Sequence, residues 1–359
     1  MSTFGRFLKV SLFGASHEKY IGLTLHGVPC GIKLDLDFIK KRLAQRRGYA
    51  NQTSSRFETD EFEIISGFFN SYTTGAPLTI LIKNSDVKSS DYEKLKDIAR
   101  PSHADLTYFY KYHGFHDYRG GGVSSGRLTV ALIVLGAICE EILKEKKIIV
   151  ASRIKQIKNH IDLKKKLTKE DLLVLQEDVF PVLDENVKFL MQEEIKKAKE
   201  NHDSLGAIIE TIVENVPIGL GEPFFDSFEA ILSHLIFSIP GVKGIEFGLG
   251  FDYVNYYGSE CNDELRIEND EIVFLSNNNG GINGGITNGN QITFRTIFKP
   301  TPSIGKFQKT INLVTKENVD LEITGRHDAI IAIKGLHVIN AVTYYAICEL
   351  MMGMNVWKN

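Results

Sequence analysis

One stretch of the chain concentrates the residue types from which a polar catalytic site is built. Residues 103–129, HADLTYFYKYHGFHDYRGGGVSSGRLT, hold three histidines, two aspartates and two arginines beside three consecutive glycines. Because glycine lacks a Cβ, such a backbone can approach a ligand closely. Ser124 or Ser125 is a suitable N-cap for an apolar helix, whose first N–H groups and positive dipole end attract anions. The stretch indicates an anion-binding site, and a flexible loop with a serine cap fits the spacing equally well.

Histidines in other small-residue loops favour acid–base chemistry on an anionic substrate. His17 ends the loop GASH, His103 lies in RPSHAD, and His327 lies between Arg326 and Asp328. Imidazole changes charge near neutral pH and can donate or accept a proton. Histidine and aspartate also ligate metals, but the chain has no HExxH or CxxC pair. A neighbouring arginine repels a metal ion and suits a phosphate or carboxylate better.

Two further loops have compositions typical of binding segments. Residues 277–289, NNNGGINGGITNG, hold five glycines and five asparagines, and long irregular loops are often functional or mobile. Residues 299–303, KPTPS, place a lysine and two hydroxyls on a backbone that two prolines restrict. A Walker P-loop and a complete GxGxxG fingerprint are both absent from the sequence.

Hydrophobic periodicity predicts the elements that position these loops. A helix running from Ser124 or Ser125 through Lys144 is apolar on every side and should lie in the interior. The lysine-rich region 153–202 should form solvated peripheral helices. The other predicted strands are 7–13, 62–69, 78–82, 207–213, 291–298 and 330–333, and the other predicted helices are 37–47 with Asp37 as N-cap, 228–236 and 338–352.

Composition places the chain among globular proteins. It has 359 residues, 43% hydrophobic and 24% charged, with a net charge of -3. That balance gives no indication of nucleic-acid binding. The longest apolar run, Val130–Cys139, is half a membrane span. With four scattered cysteines and no signal-peptide pattern, we expect a cytoplasmic protein with no membrane or nucleic-acid partner and no bound metal. We expect one domain over 1–359, with 153–202 at its periphery.

Nine motifs in order resemble the chorismate synthase family from about residue 5 to about residue 345. They are GASH, TTGAP, ARPSHADLTYFYKY, YRGGGVSSGRLT, VKGIEFG, GSECND, NNNGGINGGITNG, FKPTPSI and GRHD. The resemblance implies an α+β fold with helices sandwiched between antiparallel sheets, in a homotetramer. It implies a lyase of the shikimate pathway of aromatic amino acid biosynthesis. The implied reaction is anti 1,4-elimination of phosphate from 5-enolpyruvylshikimate-3-phosphate, dependent on reduced FMN without net redox change.

The resemblance also implies roles for particular residues. His17 would serve the phosphate side and His103 the flavin, while Ser16 and Asp328 would form a relay toward flavin N5. Substrate would be bound by Arg46, Arg47, Arg100 and Arg127. The flavin, for which NADPH is a candidate reductant, would be held by Val123, Ser124, Ser125, Pro240, Gly241, Gly284, Lys299, Pro300, Thr301, Pro302, Ser303 and Arg326.

The chain departs from the family pattern at several matched positions. Val123 and Asn51 stand where the family commonly has arginine, and Ala15 stands where it has glutamate. Each lost charge-assisted hydrogen bond is worth about 1.5–3 kcal/mol. Three alternatives therefore stay open: a relative that binds FMN without turnover, a flavoprotein oxidoreductase, and a metal-dependent hydrolase.

Overall fold

The computed structural model describes residues 2–48, 58–85, 92–93, 95–164, 167–323 and 328–354. The α-helices of these residues are α1 (Leu36–Gly48), α2 (Asp105–Lys111), α3 (Thr129–Ile142), α4 (Lys169–Glu177), α5 (Glu185–Glu200), α6 (Phe228–Phe237), α7 (Gly258–Cys261) and α8 (Ala332–Met354). The strands are β1 (Thr3–Phe4), β2 (Lys9–Gly14), β3 (Tyr20–His26), β4 (Phe62–Ser66), β5 (Phe68–Phe69), β6 (Tyr72–Thr73), β7 (Leu78–Lys83), β8 (Ile149–Ile157), β9 (His160–Ile161), β10 (Ala207–Glu214), β11 (Val242–Phe247), β12 (Leu265–Glu268), β13 (Glu271–Phe274), β14 (Ile282–Asn283), β15 (Ile286–Thr287), β16 (Ile292–Phe298), β17 (Gln308–Ile311) and β18 (Asn318–Leu321).

Two five-stranded antiparallel sheets form the outer layers. One has the strand order β1-β2-β3-β7-β4 and the other has the order β11-β16-β10-β8-β9. Alternate residues of a strand face opposite sides of its sheet. In β3 the residues of one side, Ile21, Leu23 and Leu25, are fully buried. Each sheet thus presents an apolar face to the helices.

Helices α3 and α8 fill the space between the sheets. Every residue of α3 from Thr129 to Cys139 is buried, as expected for a helix that is apolar on all sides. Helix α3 contacts β3 of the first sheet, while α8 contacts β8 and β10 of the second. The two helices approach so closely at Gly136 that a Cβ there would lie 2.3 Å from Cα of Ala341. This arrangement confirms the predicted α+β fold with helices between antiparallel sheets.

The predicted starts of two helices were wrong. The first turn of α1 is capped by Asp35 and not by Asp37, since Oδ1 of Asp35 accepts from the backbone N–H of Asp37 at 3.0 Å and of Phe38 at 3.1 Å. Helix α3 begins at Thr129 and not at the predicted serines, because two short 3-10 turns, Gly122–Ser124 and Gly126–Leu128, precede it.

Two segments adopt a different structure from the one predicted. Residues 153–157 belong to β8 inside the second sheet, although α4 and α5 are the helices expected nearby. The side chain of Arg153 can be buried there because Glu210 and Asp162 neutralise it. The predicted strand 330–333 is wrong as well, since α8 already begins at Ala332.

No helix within the described residues is long and apolar enough to span a membrane.

Candidate functional site

A cavity of about 1280 Å³ brings together loops that are distant in the sequence. It lies where the loop after β2, helix α1, the segment 100–129, the α6–β11 turn, the loop after β16 and the start of α8 meet. The predicted site residues that line it are Ser16, His17, Arg46, Arg47, Arg100, His103, Val123, Ser124, Ser125, Arg127, Pro240, Gly241, Lys299, Thr301, Pro302, Ser303 and Asp328.

Three predicted residues stand apart from this group. Pro300 and Gly284 do not line the cavity, and Gly284 lies in the turn between β14 and β15. Their contact with a flavin stays a prediction. Arg326 lies outside the described residues, as do His327, Asn51 and Arg56.

The loop after β2 and the glycine-rich loop fix each other. The backbone N–H of Ser16 donates to the carbonyl of Gly122 at 3.2 Å, and Oγ of Ser16 lies 3.0 Å from Nδ1 of His17. A Cβ built on Gly120, whose φ is +63°, would lie 2.8 Å from Cε1 of His17. Glycine is therefore required at Gly120 both by its backbone conformation and by the imidazole that rests against it.

Arg100 and His103 share one carboxylate. Asp105 accepts from Nε and Nη2 of Arg100, each at 2.7 Å, and lies 2.7 Å from Nδ1 of His103. Nη2 of Arg100 also donates to the carbonyl of Gly120 at 2.7 Å. Burial alone would raise the pKa of Asp105, but the hydrogen bonds from Arg100 and His103 outweigh it and hold that pKa well below the ordinary value.

Three arginines surround the buried side chain of Asp60. Arg127 donates from Nη1 to Oδ1 of Asp60, and Nε of Arg47 lies 3.5 Å from Oδ2. Burial lowers the pKa of Arg46 to about 10; the Asp60 carboxylate opposes this change and the nearby Arg127 favours it. Arg46 stays cationic at neutral pH, yet its buried Nε has no hydrogen-bond partner among the described residues. Such a donor is suited to an anionic ligand.

The serines after the glycines order the same loop. Oγ of Ser124 donates to the carbonyl of Gly121 at 3.0 Å. Oγ of Ser125 accepts from the backbone N–H of Arg127 at 3.2 Å and so caps the second 3-10 turn. The apolar side chain of Val123 is half-exposed at the cavity.

The opposite wall carries cations and an unpaired hydroxyl. Nζ of Lys299 donates to the carbonyl of Ser102 at 2.7 Å, and burial together with the nearby Lys243 lowers the pKa of Lys299. Oγ1 of Thr301 is buried with no hydrogen-bond partner among the described residues. Asp328 forms an ion pair of 3.0 Å with Lys334, which also lines the cavity.

Sequence reasoning assigned no role to the polar side chains that hold these groups. Nδ2 of Asn84 donates to the carbonyls of Ala15 and Glu18 at 3.2 and 2.7 Å, and its Oδ1 accepts from Nε of Arg127 at 2.9 Å. Asn84 thus connects the His17 loop to a buried arginine. Asn84 and Asp60 lie far from Arg127 in the sequence and gave no signal, whereas the His-x-Asp spacing of Asp105 was a usable one.

No group of three or more histidine, cysteine, aspartate or glutamate side chains in the described part of the chain is arranged to hold a metal ion.

Comparison with known proteins gives one consistent family. A family model described as chorismate synthase matches residues 8–352. The chain is 41% identical to a chorismate synthase of Pyrococcus abyssi, with 99% of this chain and 98% of the relative covered. It is 42% identical to one of Campylobacter concisus, with 98% and 96% covered. A solved structure titled as chorismate synthase superposes with a TM-score of 0.77 at 26% identity, covering 98% of this chain and 93% of the other.

Proposed function

The chain belongs to the chorismate synthase family, and from that premise we propose that it forms chorismate by eliminating phosphate from 5-enolpyruvylshikimate-3-phosphate. The observation that carries the proposal is the meeting of His17, His103 and Asp328 in one cavity with several arginines. A lyase that acts on this substrate needs cations for three acidic groups, and it needs acid–base groups where the phosphate and the proton depart.

The arginines of the cavity are suited to a substrate with one phosphate and two carboxylates. Arg46 and Arg127 are buried and charged, and the hydrogen-bonding capacity of Arg46 is not exhausted by the described residues. Arg100 is fixed by Asp105, so its guanidinium is oriented before substrate arrives. Prepositioned donors bind developing negative charge without reorganising during the reaction. We propose Arg46, Arg47, Arg100 and Arg127 as the substrate-binding cations.

The cavity residues also fit reduced FMN. A volume of about 1280 Å³ accommodates a flat tricyclic ring together with the substrate. The unpartnered hydroxyl of Thr301 and the ammonium of Lys299 are donors suited to ring oxygens or a phosphate tail. The residues that we propose to hold the cofactor are Val123, Ser124, Ser125, Pro240, Gly241, Lys299, Thr301, Pro302 and Ser303. When bound, the reduced flavin supplies the electron-rich ring that the elimination requires, and it is not consumed.

His17 and His103 are proposed as the acid–base groups of the reaction. The departing phosphate gains negative charge, and an imidazolium at His17 stabilises it by donating a hydrogen bond. Ser16 lies against Nδ1 of His17 and restricts the rotation of the ring. His103 is proposed to protonate or hydrogen-bond the flavin. Asp328, beside Lys334, is proposed with Ser16 to relay the proton that leaves the substrate.

The departures from the family pattern do not remove the positive charge of the cavity. Val123 supplies no cation, but Lys243, Lys299 and Lys334 all line the same space. These three lysines support an active enzyme over a relative that binds FMN without turnover.

An anaerobic assay of phosphate and chorismate formation tests the proposal. Dithionite-reduced FMN should support both products at equal rates, whereas oxidised FMN should support neither. A flavoprotein oxidoreductase would instead consume NADPH in step with product, and a metal-dependent hydrolase would lose activity with EDTA. FMN binding without phosphate release by the wild-type chain would refute the proposal.

The same assay with NADPH in place of dithionite tests whether the chain itself can reduce the flavin. A homotetramer and a cytoplasmic location are proposed on the family resemblance, and sedimentation of the purified chain tests the first.

A further inference from the structure

The carboxylate of Asp105 is shared between a candidate substrate-binding group and a candidate acid–base group. Its Oδ2 accepts from the backbone N–H of Arg100 at 3.0 Å and from Nε at 2.7 Å. Its Oδ1 accepts from Nη2 of Arg100 at 2.7 Å and lies 2.7 Å from Nδ1 of His103. Arg100 and His103 are therefore fixed by one side chain, which lies in the first turn of α2.

The contact with Asp105 decides which nitrogen of His103 carries the proton in the neutral ring. An ionised carboxylate can only accept hydrogen bonds, so Nδ1 has to be the donor. Asp105 is ionised at neutral pH because two hydrogen-bonding partners lower the pKa of its carboxyl group. The proton therefore lies on Nδ1, and Nε2, which has no hydrogen-bond partner among the described residues, remains for the cavity.

We propose that Asp105 is a positioning residue that holds His103 as the Nδ1–H tautomer and keeps Nε2 available to the bound flavin and substrate. The same carboxylate holds Arg100 against the carbonyl of Gly120, so the imidazole, the guanidinium and the glycine-rich loop keep one relative geometry. What His103 acts on rests on the proposed function, whereas its tautomer and its orientation do not. A carboxylate behind an imidazole fixes the ring in this way without taking its proton.

Replacement of Asp105 by asparagine should reverse the tautomer. The amide oxygen is best placed where Oδ2 stands, because two donors of Arg100 converge there. The amide NH2 then occupies the place of Oδ1 and points at Nδ1 of His103. Because NH2 can only donate, Nδ1 has to become the acceptor and the proton moves to Nε2. Glutamate at this position keeps a carboxylate and should keep the Nδ1–H tautomer.

A matched control lies a few residues further along the chain. Asp117 holds Arg119 through the backbone N–H at 3.1 Å and through Nε and Nη2, each at 2.8 Å. This is the pattern of Asp105 on Arg100, but Asp117 makes no hydrogen bond to His103. Asp117→Asn therefore removes a similar aspartate–arginine contact and should leave the nitrogen signals of His103 unchanged.

Nitrogen-15 NMR of histidine side chains in the flavin-free protein tests the proposal directly. His103→Gln identifies the signals of His103, and spectra at about pH 9, well above the ordinary imidazole pKa of ~6.5, report the neutral ring. The wild type, Asp105→Glu and Asp117→Asn should show a protonated Nδ1 and an unprotonated Nε2. Asp105→Asn should show the reverse. A neutral wild-type ring with its proton on Nε2 would overturn the proposal.

Steady-state kinetics then separate positioning from a purely structural role. Asp105→Asn should lower kcat by about 100-fold or more, on the scale of lost acid–base catalysis, with a much smaller change in KM. Asp105→Glu should recover part of kcat. An Asp105→Asn variant with the reversed tautomer and normal kcat would overturn the link to turnover. Failure of the wild type to form phosphate would count against the proposed function alone, because the NMR result needs neither flavin nor substrate.

Discussion

A histidine buried behind the arginine cluster should make the stability of the fold depend on pH. His337 lies in α8 beside a small internal cavity of about 30 Å³. Its Nε2 has no hydrogen-bond partner among the described residues. Burial lowers the pKa of His337 to about 4, and the neighbouring cations Arg42 and Arg46 add to the effect. Neutral His337 thus spares these two arginines a third positive charge.

The sign and the size of the effect follow from proton linkage. The unfolded chain protonates His337 near the model value of 6.5, whereas the folded chain does so only near 4. Between these values the unfolded state binds more protons, so the free energy of unfolding falls as the pH falls. Each pKa unit is worth about 1.4 kcal/mol. The loss should reach roughly 2.5 kcal/mol between pH 7.5 and pH 4.5.

Equilibrium urea unfolding of the wild type and of His337→Asn over this pH range measures the effect. Other titrating groups are common to both chains and cancel in the difference between their unfolding free energies. That difference should change by roughly 2.5 kcal/mol in favour of the variant as the pH falls, and His337→Gln should behave in the same way. Parallel curves for the wild type and both variants would refute the reasoning.

Three further substitutions test the close contacts and the missing cation. Gly120→Ala should lower turnover severely while the protein still folds, because the new Cβ would lie 2.8 Å from Cε1 of His17; phosphate release measures this, and near-normal rates would contradict the packing. Gly136→Ala should destabilise the fold by several kcal/mol, since overpacking of this kind costs about 1–3 kcal/mol and here the new atom would meet the backbone of Ala341 at 2.3 Å. An unchanged thermal midpoint would be inconsistent with that helix contact. Val123→Arg should tighten FMN binding about tenfold, as expected for one added charge-assisted hydrogen bond of about 1.5 kcal/mol, and a titration with no gain in affinity would remove Val123 from the flavin side.

Local signals in the sequence predicted most of the elements that position the site. The period-2 and period-3.6 patterns gave β7, β10, α6 and the interior position of α3, because these elements bury one face or their whole surface. The errors fell where a distant residue decides the outcome. Strand β8 buries Arg153 against Glu210 and Asp162, and no local pattern announces such a partnership.

The candidate site was predictable in part for the same reason. The loops rich in glycine, histidine and proline are visible in the sequence, and the family resemblance orders them. The side chains that hold the arginines are not visible, since Asp60 and Asn84 are separated from Arg127 by 67 and 43 residues. The 3-10 turns before α3 were also missed, because Ser125 caps a turn and a helix with the same hydrogen bond.

The ratio of phosphate released to flavin oxidised in a sealed anaerobic reaction tests the central claim most directly. A redox-neutral elimination in the cavity predicts many phosphates for each FMN, with the flavin still reduced when the substrate is exhausted. One phosphate for each flavin oxidised, or phosphate release that is independent of reduced flavin, would contradict the account.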